Sequence, residues 1–167
     1  MADFTTIDPW SQVLLRLWAL LEANTDFCAA VKAANRIKFT AASGANPLKT
    51  QIQDGDTPEV MITMDQSSDR PALTSVQSGS DQQFQIQVTT LDMRLRKTDG
   101  TGANDLRWLI WQILNNAGDS LGLDFVYKTR IQAALVHYID PINRGTLGWV
   151  CFFTVTCNLQ LPKDYAI

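Results

Sequence analysis

Apolar side chains recur at helical spacing close to the start of the chain. Asp8 followed by Pro9 is typical of a helix start, because a carboxylate can cap the first turn and proline suits the first helical position. The apolar positions that follow are three or four residues apart, as one face of a helix requires. They are Trp10, Leu14, Leu17, Trp18 and Leu21.

Two further helices are predicted. Asn24 can cap a short helix over residues 26 to about 34, with Phe27, Ala30, Val31 and Ala34 on its buried face. A longer helix is predicted from residue 104 to residue 116, and Gly118 suits its end. The core side of that helix would carry Leu106, Leu109, Ile110, Ile113 and Leu114.

Four segments are predicted as strands. They are residues 59–65, 84–93, 130–140 and 149–161. The second and the last alternate between two kinds of side chain, which is typical of strands with one buried face. The last is also the longest, and one of its faces would hold Trp149, Cys151, Phe153, Val155, Cys157, Leu159 and Leu161.

Polar stretches separate these elements. Residues 40–58 and 66–83 are rich in Gly, Pro, Ser and Asp, and we expect them to be long loops of the kind that is usually functional or mobile. Residues 94–102 form a basic connection that contains glycine, and residues 141–148 are predicted as a hairpin loop.

The elements predict an α+β fold in the order α-α-β-β-α-β-β. Alternating strands favour an antiparallel sheet of four strands, with a mixed sheet as the alternative, and the helices would pack on one of its faces. The length suits one domain over residues 1–167, with a short N-terminal arm at residues 1–7 and a C-terminal tail at residues 162–167.

Composition narrows the classes of function. The chain has 46% hydrophobic and 19% charged residues, and 14 Lys and Arg against 17 Asp and Glu give a net charge of −3. This balance excludes a strongly basic nucleic-acid binder as the default. With no secretory signal and no apolar stretch long enough for a membrane span, the expectation is a soluble protein inside the cell. Three cysteines then agree with free thiols.

A glycine-containing segment at residues 99–105 follows a strand and precedes a helix, which is the setting of a phosphate-binding loop. Asp105 stands where a dinucleotide-binding fingerprint needs a small residue, and its carboxylate would repel phosphate. We interpret the segment as a turn in which Asn104 or Asp105 caps the helix. A small nucleotide-binding enzyme is kept as an alternative of a different class.

Other candidates for chemistry are few. His137 has no nucleophile pattern around it and is interpreted as a partly buried histidine bonded to backbone. Cys151 and Cys157 are about 20 Å apart on one strand, so they can share neither a disulfide nor a metal, and with Cys28 they are interpreted as apolar core residues. The acidic residues 54–59 lack the spacing of a calcium loop. We predict no catalytic, cofactor-binding or metal site and no enzyme.

Two tryptophans lie largely off the apolar stripe of the third predicted helix. Trp108 and Trp111 are three residues apart, and Arg107 is beside them. Aromatic residues with arginine are typical of protein interfaces. Burial of both rings against the first helix is the competing interpretation, because tryptophan is usually buried.

The basic connection is the second candidate for contact with a partner. Arg94, Arg96 and Lys97 follow the second predicted strand. A solvated strand end explains them simply. They could also contact an acidic protein surface or passing DNA, more effectively when several copies in a ring add their phosphate contacts.

The order and texture of these segments resemble the tail-terminator and tail-completion proteins of long-tailed bacteriophages. The resemblance covers most of the chain. It rests on the segments Trp18-Ala19-Leu20-Leu21-Glu22-Ala23-Asn24, Pro58-Glu59-Val60-Met61-Ile62-Thr63, Phe84–Leu91, Leu106–Leu114 and Gly148-Trp149-Val150-Cys151-Phe152-Phe153-Thr154-Val155.

The resemblance implies a structural protein of the virion tail or neck, assembled in the host cytoplasm. Such proteins form a ring of six that caps the tail tube, stops its growth and docks to the head connector. They carry no catalytic residues or cofactors. Its partners would be further copies of itself, the tail tube protein and a head-tail connector or head-completion protein, with DNA only passing through the lumen and no membrane. On this basis Arg107, Trp108, Trp111, Arg94, Arg96 and Lys97 are expected to contribute to contacts between subunits or rings.

Two further classes compete with this one. Another part of the virion neck or tail, a head-completion connector or a tail-tube subunit, would share the same texture but assemble differently, because tube subunits polymerise into long cylinders. A generic adaptor domain with one apolar patch is the other.

Overall fold

The computed structural model describes residues 7–38, 52–70, 77–140 and 142–162, and of residues 66–70, 77, 78 and 162 it describes the backbone alone. Three α-helices lie in these ranges: α1 (Pro9–Glu22), α2 (Thr25–Ala30) and α3 (Ala103–Asn116). Five strands accompany them: β1 (Arg36–Lys38), β2 (Glu59–Arg70), β3 (Gln77–Thr90), β4 (Val126–Ile139) and β5 (Thr146–Pro162). The N-terminal arm, most of the loop at 40–58 and nearly all of the C-terminal tail lie outside the described residues.

The strands form one mixed sheet in the order β1-β2-β3-β5-β4. The pair β1–β2 is parallel and the other three pairs are antiparallel. The α+β class is therefore confirmed, but the sheet has five strands and not four, and the element order differs accordingly. β1 was not predicted, because three residues, of which only Ile37 is apolar, are too few for an alternating pattern.

The predicted loop at residues 66–83 is wrong. Residues 66–70 continue β2 and residues 77–83 begin β3, so the two strands form a long hairpin whose residues 71–76 lie outside the described part. Ser80 pairs with Leu159 of β5, and Gln82 pairs with Cys157. Because β3 has a strand on each side, its backbone ladder is satisfied even where its side chains are polar. A run of polar residues is therefore not sufficient to predict a loop at a central position of the sheet.

Other boundaries shift by a few residues. The second helix ends at Ala30, because the backbone of Val31 is extended with φ −118° and ψ 107°, so the expected burial of Ala34 is wrong and that residue is exposed. β3 ends at Thr90 and not at residue 93, β4 begins at Val126 and not at residue 130, and β5 begins earlier than residue 149.

The helix starts follow capping rules at α1 and α2. The Asp8 carboxylate accepts a hydrogen bond of 2.8 Å from the Ser11 backbone N–H, as expected for a capping aspartate before Pro9. The Asn24 side chain accepts one of 2.9 Å from the Phe27 N–H. The caps fix where α1 and α2 begin, and the apolar faces of both helices are buried.

One core lies between the helices and the sheet. The long face predicted for residues 149–161 is confirmed, since five of its alternate residues are fully or almost fully buried: Cys151, Phe153, Val155, Cys157 and Leu159. Facing them, Leu17 and Phe27 from the first two helices and Leu106 and Ile110 from α3 are fully buried. The helices therefore cover one face of the sheet, as the sequence indicates.

Candidate interaction surface

The exposed side of α3 carries two stacked tryptophans. The ring centroids of Trp108 and Trp111 are 5.4 Å apart and the ring planes differ by 13°. Trp108 is 59% exposed and Trp111 is 37% exposed. The core side of α3 is already filled by Leu106, Ile110 and Leu114, so positions 108 and 111 point away from it. Burial of both rings, the competing interpretation, is wrong.

Arg107 joins this pair to the sheet. Its Nη2 donates a hydrogen bond of 3.5 Å to the backbone carbonyl oxygen of Ala133 in β4. A shallow depression of about 370 Å³ is lined by Arg107, Trp108 and Trp111 together with Asn104. Arg107, Trp108 and Trp111 thus form one surface, here called the tryptophan surface, that lies against the outer strand of the sheet.

The basic connection after β3 is neutralised by its own carboxylates. Arg94 Nη2 is 2.8 Å from Asp92 Oδ2, and Lys97 Nζ is 3.4 Å from the same oxygen. Arg96 Nε is 3.3 Å from Asp105 Oδ1. The hydrogen bonds from Arg94 hold the pKa of the Asp92 carboxyl well below its usual range. The three basic residues therefore present less net positive charge than the sequence suggests.

The start of α3 differs from the prediction. Gly102 is the N-cap residue and no side chain caps there, so the expected cap from Asn104 or Asp105 is wrong. Asp105 turns back to the connection instead, where its Oδ2 accepts a hydrogen bond of 2.7 Å from the Lys97 backbone N–H. Gly102 itself is pressed against the connection, since a Cβ there would lie 2.6 Å from the Leu95 carbonyl oxygen.

A phosphate at this helix start would meet a carboxylate. The wider depression in front of it, of about 730 Å³, is lined by Asp26, Asp99 and Asp105 together with Arg96 and Trp108. Three carboxylates against one arginine suit a cationic group or a hydrogen-bond donor better than an anion. This electrostatic setting does not favour the nucleotide-binding alternative.

His137 is placed differently from the interpretation made on the sequence. It is exposed, not partly buried, and its ring centroid lies 4.3 Å from that of Trp149. The indole Nε1 of Trp149 in turn donates a hydrogen bond of 3.1 Å to the Met93 carbonyl oxygen. The imidazole therefore packs on an aromatic ring at the end of the sheet.

The cysteines lie where core residues would be expected. Cys151 and Cys157 are buried, and burial raises the pKa of each thiol to about 11. Cys28 is half-buried, and its Sγ lies 3.2 Å from the Glu22 carbonyl oxygen. Among the residues that the structure describes, no group of three or more His, Cys, Asp or Glu side chains is placed to hold a metal ion.

Sequence reasoning missed the other exposed apolar side chains near the sheet edges. Met64 of β2 is 47% exposed, and Tyr127 and Val136 of β4 are 67% and 45% exposed. β4 is an outer strand, which explains exposure on both of its faces. The only sequence signal was the weak alternation within residues 130–140, which distinguishes this strand from the cleanly alternating β5.

No protein-family model matches the sequence, and no curated protein matches it either. Within the described ranges, none of the helices has the length and apolar character needed to cross a bilayer. The geometry of the tryptophan surface and of the sheet edge beside it is accordingly the basis for a functional proposal.

Proposed function

We propose that this chain is a structural subunit of the kind found in phage tail terminators. Copies of it assemble side by side into a ring of six that caps the tail tube and joins it to the head connector. The chain performs no catalysis in this role. Its work is to bury surface against sister copies and against the stacked neighbours of the tail and neck.

The stacked pair of Trp108 and Trp111 is the observation that carries the proposal. An exposed pair of tryptophans beside an arginine is the side-chain set that contributes most of the energy at protein interfaces. Two rings that are already stacked lose little conformational freedom when a partner covers them. The tryptophan surface is therefore suited to hold a protein partner.

The face of the sheet that the helices leave open fits the inside of such a ring. In its central part β3 presents Gln83, Gln85 and Gln87, and β5 presents Thr154 and Thr156 beside them. These side chains are neutral and half-buried. This central part gains no counterion-release energy from DNA phosphates, so DNA would pass along it without being held. Toward its outer edge the same face carries exposed Lys128 and Arg130 of β4.

The test is the assembly state of the purified chain. Native mass spectrometry and negative-stain electron microscopy should show one closed ring of six copies, alone or after addition of bare tail tubes. Long cylinders of the chain by itself would identify it as a tube subunit and overturn the terminator assignment. A monomer under both conditions would overturn the proposal as a whole.

A further inference from the structure

The sheet has two edges that can accept a strand. β4 is the last strand in the order, so over Val126–Ile139 every second residue turns its N–H and C=O away from β5. At the other side, β1 pairs only with residues 60–62 of β2. Residues 63–70 of β2, here called the β2 edge, pair on their outer side with no strand among the residues that the structure describes.

We propose that β4 of one copy pairs with the β2 edge of the next, so that the ring is closed by a sheet that continues from copy to copy. This inference rests on the proposed function and names the surfaces that would form the ring. The strand directions agree with it. β2 is antiparallel to β3, β3 to β5 and β5 to β4, so β4 runs opposite to β2. Copies related by rotation about the ring axis would therefore meet in an antiparallel pair.

A pairing between two unlike edges is also what a ring requires. An interface that uses the same surface on both partners closes as a dimer, whereas a head-to-tail interface closes into a ring when the rotation between copies allows it. Because both edges belong to one sheet, rotation keeps the helices of every copy on the same side. A second copy of the chain therefore fits the open edge, because its own open edge offers free backbone groups and its helices lie on the same side of the sheet.

Charge on the open face of the sheet supports a pairing in which β4 of one copy continues the rows of the sheet onto the β2 edge of the next copy. Met64 of β2 and Ile131 of β4 stand in one row across the sheet, through Phe84 and Val155. The next position along holds exposed Arg130 on β4, level with the irregularity of β2 that follows Met64.

Asp65 lies in that irregularity and is exposed. If the sheet continues without stagger, Arg130 of one copy and Asp65 of the next come to the same height. Exposed Lys128, in the same stretch of β4, adds to the positive charge, and β4 contains no Asp or Glu. Opposite charges on facing strands stabilise the pair, whereas like charges in those places would destabilise it.

Apolar side chains support the pairing on the helix side. Met64 lies on the same face as buried Ile62 yet is 47% exposed, so it marks a part of the β2 edge that the helices leave uncovered. Arg107 of the tryptophan surface is hydrogen-bonded to the backbone of Ala133 in β4, on the helix side of the sheet. In the proposed pair, Met64 of one copy faces the two indole rings of its neighbour, a contact that sulfur and aromatic rings favour.

The experiment is a charge exchange in the full chain. Arg130→Glu and Asp65→Lys, made separately, place like charges at the junction, and each should shift the ring seen by native mass spectrometry to monomers or open oligomers. The two changes together restore opposite charges and should restore the ring. Lys32→Glu and Asp54→Lys are matched controls, because both line a depression with Pro58 and Thr90 at the far end of β2.

The outcomes separate this inference from the proposed function. If the wild-type chain forms no ring, the proposed function fails before the edges are tested. If the ring forms and both single variants keep it, or if the double variant does not recover it while its thermal unfolding matches wild type, the edge pairing is wrong and the ring has another interface. If only one of the two single variants opens the ring, the edge that it changes has another partner and the proposed junction is wrong.

Discussion

Gly148 lies so close to Thr90 that the Thr90 carbonyl oxygen occupies the place a Cβ would take. The contact is the point where β5 begins to pair with the end of β3, since the next residue, Trp149, is the partner of Thr90. Only a residue without a side chain allows the two backbones to approach in this way. The glycine near the start of β5, the longest strand, is therefore a packing requirement of the fold.

The first prediction concerns Gly148→Ala. The added methyl group must displace backbone and not a flexible side chain, so we expect a loss of about 3 kcal/mol in the free energy of unfolding, measured by urea denaturation. Gly145→Ala is the matched control, because a Cβ there has nothing within 4 Å and the cost should be near zero. Equal stabilities of the two variants would contradict the described approach of β5 to β3.

The second prediction concerns Trp108→Ala combined with Trp111→Ala. Both rings are exposed, so the free energy of unfolding of the monomer should fall by about 1 kcal/mol or less. Ring formation, measured by native mass spectrometry, should be lost. Ile142→Ala, at a side chain that is 74% exposed on the β4–β5 hairpin, should leave the ring intact. A double variant that still assembles and still docks to tail tubes would remove the tryptophan surface from the interface.

The third prediction concerns thiol reactivity. Burial excludes reagent from Cys151 and Cys157 and raises their pKa to about 11, so at pH 8 only about 0.1% of each is thiolate. A thiol-reactive dye should label at most Cys28 in the folded protein and all three cysteines after denaturation. Cys28→Ser should show no rapid labelling while folded. Rapid labelling of that variant would contradict the placement of the two strand cysteines in the core.

The fourth prediction concerns pH. The hydrogen bonds from Arg94 lower the pKa of Asp92 in the folded state below its unfolded value, near 4. The stabilisation is therefore fully present above about pH 5 and is lost as the pH falls through the folded pKa. The difference in unfolding free energy between wild type and Asp92→Asn should be largest near pH 6 and begin to shrink below about pH 4.

A second substitution tests the cause of that effect. In an Arg94→Gln background Asp92 loses the guanidinium and keeps Lys97 and the backbone N–H of residue 94, so Asp92→Asn should cost less than in the wild type. The four proteins form a double-mutant cycle. If the two substitutions contribute additively at pH 6, the ion pair is not the source of the pH dependence.

The sequence predicted the elements whose periodicity was strong. The stripe of α3 and the alternating face of β5 could be predicted because burial on one side imposes a regular spacing of apolar residues. The cap at Asp8 could be predicted because a carboxylate before proline suits a helix start. The α+β class follows from these elements together. Their order did not reveal β1 or the sheet order, because pairing between distant strands leaves no local pattern.

The errors have physical reasons as well. Residues 77–83 form strand despite Ser, Gln and Asp because neighbours on both sides complete their hydrogen bonds. Asp105 does not cap α3 because the Lys97 N–H and the Arg96 guanidinium lie within its reach and hold it. The tryptophan pair was found because it stands off the apolar stripe, but only the contact of Arg107 with Ala133 showed that it adjoins a sheet edge.

Two contacts link the first part of β5 to the start of α3 by way of the β3–α3 connection. Trp149 holds the Met93 carbonyl oxygen, and a few residues later Gly102 is pressed against the backbone of Leu95 and Arg96. A force on this part of β5 would thus be transmitted to the β3–α3 connection through the Trp149 side chain. A partner that binds the first part of β5 would therefore also act on α3, the helix that carries Trp108 and Trp111, and the two regions would move together.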